Sequence, residues 1–259
     1  MRQARAFLGS MLMLFCLGPA VWADDFRIET KVYSGTAKSP VSQNTTLFEA
    51  GYVYDYLSDP ARVAVFDRPH GRFILLDPAR KVKAEVKTDD VRLFADKFRE
   101  IAQKSSRPFM QFAADPDFKI DVAQNGDLTF SSQFITYELE TVPANTPEAA
   151  QQYREFSDWY ARFNAMATPG STPPFPRMAV NDELFKRALL PTEVQLTIAA
   201  TPGVKAATLR SEHNVAWRLL PKDHKKIAET GHQLATFKPV DFDKFEPVAG
   251  APRKLAAGR

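Results

Sequence analysis

Four short segments decide the fold of this chain: Tyr52-Val-Tyr-Asp-Tyr-Leu57, Arg62-Val-Ala-Val-Phe66, Arg72-Phe-Ile-Leu-Leu76 and Lys81-Val-Lys-Ala-Glu-Val-Lys87. Each segment is rich in β-branched, aromatic or other apolar residues, and turn residues such as Ser58-Asp59-Pro60 separate them. The connections contain only a few residues, whereas parallel strands need a crossover of about a dozen residues or more. The four segments are therefore predicted to form an antiparallel β-meander.

Further strands are predicted on both sides of the meander. Residues 26–34 alternate, with Phe26, Ile28 and Val32 on one face and charged residues on the other, which is typical of a half-buried strand. Asn125-Gly126 is a strong hairpin signal, and Pro202-Gly203 predicts a second turn. The remaining strands are predicted over 45–49, 117–122, 128–130, 134–142, 193–198 and 208–219.

After the meander, the spacing of the apolar residues changes from that of a strand to that of a helix. Val91, Phe94, Phe98 and Ile101 recur at spacings of three, four and three, which predicts an amphipathic helix with these side chains on its buried face. Thr88 is predicted as its N-cap, and the helix is expected to end near Ser105. The apolar segment 109–114 is too short to assign.

A second helix is predicted over 147–166, because Thr146 suits an N-cap and Pro147 suits the first helical position. Its buried stripe is predicted to consist of Ala149, Tyr153, Phe156, Tyr160 and Phe163, with Trp159 beside it. Its outer face is predicted to carry Arg154, Glu155, Asp158 and Arg162. A proline-rich loop over 168–177, a short helix over 182–189 and a last helix over 221–237 are expected to follow.

Runs of strands interrupted by isolated helices indicate an α+β fold, with a curved antiparallel sheet packed against two or three amphipathic helices. We expect one domain over 24–246 and a disordered tail over 247–259.

The N-terminus has the features of a secretory signal peptide. Arg2 and Arg5 precede an apolar run that ends at Leu17, and cleavage is predicted between Ala23 and Asp24. The apolar run is shorter than the roughly 20 residues that span a bilayer. The sequence therefore predicts export to the periplasm or the exterior, with no membrane span in the mature chain.

The only cysteine, Cys16, would leave with the signal peptide. The bulky Phe15 directly before it fits a lipid-attachment site poorly, so lipidation is the less favoured alternative. A mature chain without cysteine has no disulfide and no thiol nucleophile, and it must depend on its hydrophobic core for stability.

The charge balance argues against nucleic acid as a partner. Lys and Arg number 34 and Asp and Glu 31, and removal of Arg2 and Arg5 leaves 32 − 31 = +1. Nucleic-acid binding requires a concentrated basic face.

No residue pattern identifies a catalytic or metal site, and no cofactor is expected. The histidines, His70, His213, His224 and His232, form no HExxH pair or comparable ligand spacing. His213 falls on an apolar strand face, where a hydrogen-bonded core histidine is the ordinary interpretation. The Gly170-Ser171 pair lacks the second glycine of a nucleophile elbow.

Two blocks of sequence resemble exported proteins of planctomycete-type bacteria. They are Gly51-Tyr-Val-Tyr-Asp-Tyr-Leu through Gly71-Arg-Phe-Ile-Leu-Leu-Asp77, and Tyr153-Arg-Glu-Phe-Ser-Asp-Trp-Tyr-Ala-Arg-Phe-Asn164 through Pro173-Pro-Phe-Pro-Arg177. That resemblance implies no activity and no functional residues. More distantly, the meander with its inserted helix resembles the carrier half-barrel of periplasmic lipoprotein-sorting proteins.

Two functions remain open at this stage. The first is a non-enzymatic cell-envelope module that binds an apolar ligand or a protein partner. The alternative is an envelope hydrolase whose site is dispersed in the sequence, with His70, His213 and nearby acids as candidates. A cavity with an apolar lining would favour the first, and a histidine within hydrogen-bond reach of a serine or carboxylate in a cleft would favour the second.

Overall fold

The fold was determined as a computed structural model that describes residues 25–168 and 170–245. The predicted signal peptide, its cleavage point between Ala23 and Asp24, and the predicted tail over 247–259 lie outside the described residues.

All the strands of the described residues belong to one open, 12-stranded sheet with the order β12-β6-β5-β4-β3-β2-β1-β11-β10-β9-β8-β7. The strands are β1 Phe26–Ser34, β2 Ser42–Glu49, β3 Tyr52–Leu57, β4 Arg62–Asp67, β5 Arg72–Asp77, β6 Val82–Lys87, β7 Lys119–Val122, β8 Leu128–Ser131, β9 Ile135–Pro143, β10 Leu189–Ile198, β11 Ala207–Ala216 and β12 Lys238–Pro239. The predicted meander is confirmed as the ladder from β3 to β6.

The helices are α1 Thr88–Gln103, α2 Pro108–Ala114, α3 Pro147–Ala167, α4 Pro174–Lys186, α5 Pro221–Thr236 and α6 Phe242–Phe245, with a short 3-10 turn over Arg68–His70. The α+β class is therefore confirmed. The short β12 pairs with β6 in parallel, and the other neighbouring strands of the described residues are antiparallel.

Helices cover both faces of the sheet. The larger core lies between one face and the helices α1 to α4, and Phe26, Phe48 and Phe73 are fully buried there. A smaller core on the opposite face contains Leu47 and Leu76, and α5 packs against it. Because alternate residues of a strand point to opposite faces, the central strands supply apolar side chains to both cores.

The start and most of the buried face of α3 are confirmed. The backbone N–H of Ala149 donates to the Thr146 hydroxyl at 3.1 Å, as expected for an N-cap. Ala149, Tyr153, Phe156 and Phe163 are buried. Tyr160 departs from the predicted stripe, since 37% of its surface is exposed.

The predicted buried face of α1 is wrong in two of its four positions. Phe94 and Ile101 are 36% and 70% exposed, while Ala95 and Ala102 are buried with Val91. The helix packs against α2 and α3, and small side chains permit the close approach of helix backbones.

Thr88 is not the N-cap of α1, because Lys87 occupies that position. The Thr88 hydroxyl instead donates to the carbonyl oxygen of Gly71 at 2.8 Å, and the Thr88 backbone N–H donates to the same oxygen at 2.9 Å. These bonds tie the start of α1 to the turn before β5.

Two predictions about the region after α3 are wrong. The proline-rich segment forms the first turn of α4 from Pro174 onward, because prolines are compatible with the first turn of a helix. That helix ends at Lys186, and residues from Leu189 belong to β10 rather than to a helix over 182–189. The unassigned segment 109–114 lies in α2.

The predicted solvent face of α3 is wrong for the residues that meet α4. Arg154 forms an ion pair with Asp182 at 2.8 Å, and Asp158 accepts a hydrogen bond from Asn181 at 2.8 Å. The side chain of Asp158 is only 15% exposed. These polar side chains join α3 to α4 rather than facing solvent.

Candidate functional site

A cavity of about 450 Å³ lies between the sheet and α3. Its floor is formed by β1, β2, β3, β9, β10 and β11, and its roof by α3 and the first turn of α4. Ligand pockets in proteins usually have volumes of about 300–1,000 Å³. The cavity is thus large enough for one small organic molecule.

Apolar side chains supply most of the cavity lining, since alternate residues of the floor strands point into it. These residues are Ile28, Val32, Phe48, Leu57, Val194, Leu196 and Leu209 on the strands, and Phe156 and Ala161 on α3. A lining of this kind favours a ligand with a substantial apolar part.

A buried carboxyl group interrupts the apolar floor. Asp55 is 5% exposed and accepts hydrogen bonds from Asn44 at 2.5 Å and from the Thr46 hydroxyl at 2.8 Å. Burial raises the pKa of Asp55, while the hydrogen bonds from Asn44, Thr46 and Tyr160 oppose that rise. The carboxyl group therefore already has three protein donors.

His213 lies on the same floor, two strands from Asn44. Its Nδ1 is 3.0 Å from the Thr30 hydroxyl, and its Nε2 is 2.9 Å from the Ser211 hydroxyl. Burial, with a smaller contribution from the positive charge of Arg177, lowers the pKa of His213 to about 3. The imidazole is therefore neutral at physiological pH.

Thr30 connects the two polar groups across the sheet. It is the direct cross-strand partner of His213 on β11 and of Asn44 on β2. The hydroxyl, imidazole and amide groups thus form a polar strip across three neighbouring strands of an otherwise apolar floor.

Arg177 brings a positive charge to the cavity from the first turn of α4. Its Nη2 donates to the Tyr153 hydroxyl at 2.9 Å. Within residues 25–168 and 170–245, Arg177 has no carboxylate within 4.0 Å. Its charge nevertheless acts at longer range, because it opposes the rise that burial causes in the pKa of Asp158.

The contact between His213 and Ser211 meets one criterion for a hydrolase, but two further parts of such a site are missing from the described residues. Thr30, and not a carboxylate, contacts the second nitrogen of His213. Ser211 lies in β11, which pairs on one side with β1 and on the other with β10, so the neighbouring backbone N–H groups are engaged in the sheet rather than available to an oxyanion. A neutral, weakly basic imidazole is also a poor general base.

The other histidines do not line the cavity. His70 Nδ1 is 2.7 Å from Asp67, and His224 Nδ1 is 2.9 Å from Glu49. His232 contributes only its backbone carbonyl, which accepts from Thr236. Across the two described ranges, no three His, Cys, Asp or Glu side chains converge into a group that could hold a metal ion.

Sequence reasoning missed the two charged residues of the cavity. Asp55 falls between Val53 and Leu57 on the inward face of β3, and a charged residue in a buried position was a signal that could have been used. Arg177 was assigned to a loop, so its direction could not be inferred.

Comparisons with known proteins give a faint likeness to solved structures. No family model matches the chain, and no curated protein matches it. A solved structure of the LolA superfamily protein NE2245 from Nitrosomonas europaea is similar at 7% identity, over 77% of this chain and 89% of that chain, with a TM-score of 0.30. A likeness this weak supports no statement about function, and the resemblance to planctomycete-type proteins stays a prediction.

Among the described residues, no helix is both long enough and apolar enough to cross a membrane.

Proposed function

We propose that this protein is an exported, non-enzymatic binding module that holds one apolar or amphiphilic molecule in the cavity between the sheet and α3. The observation that carries the proposal is the cavity of about 450 Å³ with its mainly apolar lining. Removal of an apolar surface from water provides the driving force for binding. Export itself is a prediction from the N-terminal sequence.

The cavity favours a small molecule over a protein partner as the ligand. A protein–protein interface requires an extended exposed surface, whereas these residues line a cleft between a sheet face and a helix. Val194, Phe48 and Ile28 are 4%, 0% and 4% exposed, so these three side chains cannot contact a second protein without rearrangement.

The proposal is tested with N-phenyl-1-naphthylamine, an uncharged dye that fluoresces in apolar surroundings. We expect saturable binding by the wild-type protein and loss of binding in Ala161→Phe, because the new ring would occupy the cavity beneath α3. Ala228→Phe makes the same change at an exposed position of α5 and should bind the dye normally.

Melting curves distinguish a filled cavity from a damaged fold. An Ala161→Phe variant with wild-type melting and wild-type dye binding would contradict the proposal. If that variant does not fold, Leu209→Phe from the opposite wall of the cavity provides the same test. Lipid extraction and mass spectrometry of protein purified from its native host would then identify the natural ligand.

A further inference from the structure

The charge distribution of the cavity restricts the chemistry of its ligand. Arg177 is half-buried, it lines an apolar cavity, and its one side-chain hydrogen bond within the described residues goes to the neutral Tyr153 hydroxyl. A guanidinium group has five N–H donors in a planar fork. Several donors of Arg177 thus remain for a further acceptor.

The other charged side chain of the cavity is unsuited to ligand binding. Asp55 already receives hydrogen bonds from Asn44, Thr46 and Tyr160. Burial raises the pKa of Asp55, which disfavours its charged form, so Asp55 does not call for a cationic ligand group. The Asp55 carboxyl group is therefore satisfied by the protein, and Arg177 is not.

The surroundings of Arg177 are suited to a single negative charge. His213 is neutral, and the charge of Arg177 is one of the two causes that keep it so. The first turn of α4 carries no acidic side chain, so the positive end of the helix adds to the field of the guanidinium group. Asp158 of α3 does not line the cavity, and it accepts a hydrogen bond from Asn181.

We propose that the ligand is an amphiphile with one monoanionic headgroup, a long-chain carboxylate, whose carboxylate binds Arg177 beside Tyr153 while its alkyl chain lies along the apolar floor. A guanidinium fork matches a carboxylate with two parallel hydrogen bonds. One guanidinium group balances one negative charge, so a doubly charged phosphate monoester fits less well. This inference rests on the proposed function and specifies its ligand.

The test compares probes that share an alkyl chain and differ in headgroup. Dodecanoate, dodecanol, dodecyl phosphate and dodecylammonium are measured by displacement of N-phenyl-1-naphthylamine from the wild-type protein. We expect dodecanoate to bind at least about tenfold more tightly than dodecanol, because a charge-assisted pair with Arg177 adds to the same apolar contacts. Dodecylammonium is expected to bind most weakly.

Variants then locate the headgroup. Arg177→Gln should weaken dodecanoate by about tenfold or more and leave dodecanol nearly unchanged, whereas Arg177→Lys should retain part of the preference. Arg187→Gln, which removes a charge from an exposed position just after the same helix, is the matched control and should bind both probes as the wild type does.

The outcomes separate this inference from the function on which it rests. Equal binding of dodecanoate and dodecanol by the wild type, or tighter binding of dodecyl phosphate, would overturn the inference that the ligand has a carboxylate headgroup. The proposed binding function would still stand. An equal loss of both probes in Arg177→Gln would show that Arg177 supports the fold rather than the headgroup. Failure of all four probes to displace the bound dye would overturn the inference, whereas failure of the dye itself to bind would contradict the proposed function.

Discussion

His213 and Thr30 are direct cross-strand partners on β11 and β1, and His213 Nδ1 lies 3.0 Å from the Thr30 hydroxyl. The contact fixes the imidazole on the cavity floor, where burial and the charge of Arg177 lower its pKa to about 3. The histidine that could have served as a catalytic base is therefore a neutral structural residue.

The low pKa of His213 predicts a specific dependence of stability on pH. The unfolded chain takes up a proton near the ordinary pKa of 6.5, whereas the folded chain does so only at about 3. The stability that the folded protein gains from keeping His213 neutral is fully present above pH 6.5. It declines as the pH falls toward 3, by roughly 1.4 kcal/mol per pH unit. Urea unfolding between pH 8 and pH 5 should show a shallower pH dependence in His213→Gln than in the wild type.

The exposed His232 provides the control for this measurement. His232→Gln should retain the wild-type slope. A wild-type slope in His213→Gln would mean that the imidazole of His213 can be protonated in the folded protein.

The aromatic contacts of α3 predict large losses of stability on truncation. The Phe163 ring stacks on Phe73 with centroids 4.9 Å apart, and Phe156 meets Phe48 edge to face at 5.8 Å. Phe163→Ala and Phe156→Ala should each lower the free energy of unfolding by about 3–5 kcal/mol. Gln151→Ala, at an exposed position of α3, should have little effect. Thermal melting of the three variants provides the measurement, and unchanged melting of both Phe variants would place the stripe in solvent.

A buried ion pair joins β1 to α5 on the opposite face of the sheet. The side chains of Arg27 and Asp223 are 6% and 4% exposed and lie 3.3 Å apart, and Asp223 also accepts the backbone N–H of Leu220. Asp223→Ala should cost about 3–5 kcal/mol, because it leaves Arg27 buried without this partner. Denaturant unfolding measures the loss.

The exposed pair between Lys104 and Glu100 is the comparison, and Glu100→Ala should leave the free energy of unfolding nearly unchanged. If Asp223→Ala costs equally little, then the contact of Arg27 with Glu29 compensates its charge.

The N-terminal sequence predicts that the exported protein begins at Asp24. Val21 and Ala23 provide the small side chains that precede a signal-peptidase site. Intact-mass spectrometry of the exported protein should show the loss of residues 1–23, and Ala23→Arg should abolish that cleavage. Recovery of exported protein that retains Met1 would contradict the prediction.

The mature chain is predicted to fold without a disulfide or a metal ion. It contains no cysteine after the predicted cleavage, and its histidines lack ligand spacing. Neither a reductant nor EDTA should change the midpoint of thermal unfolding. A decrease of several degrees with EDTA would show that a metal site was overlooked and would favour the enzyme hypothesis.

Local sequence signals predicted the elements they govern directly. The alternation around Val63 and the turns between its neighbouring segments predicted the meander, because strand pairing across short connections depends on nearby residues. Thr146 and Pro147 likewise predicted the start of α3, since a cap involves only the first turn.

Sequence patterns predicted the burial of a helix face less well where that burial depends on residues distant in the sequence. The spacing of Phe94 and Ile101 predicted a buried face, but α1 buries the small side chains of Ala95 and Ala102 where it approaches its neighbouring helices. The face of Arg154 and Asp158 looked solvent-exposed because the sequence did not reveal that α4 packs there.

The sequence by itself determined the class of fold, because turns, caps and apolar periodicity act over a few residues. The tertiary structure alone decided the cavity. Asp55 precedes Arg177 by 122 positions and His213 by 158 positions along the chain. The three residues meet only because β1 pairs with both β2 and β11 while α3 and α4 pack above them. Such long-range pairing depends on the packing of the whole sheet, which no local pattern encodes.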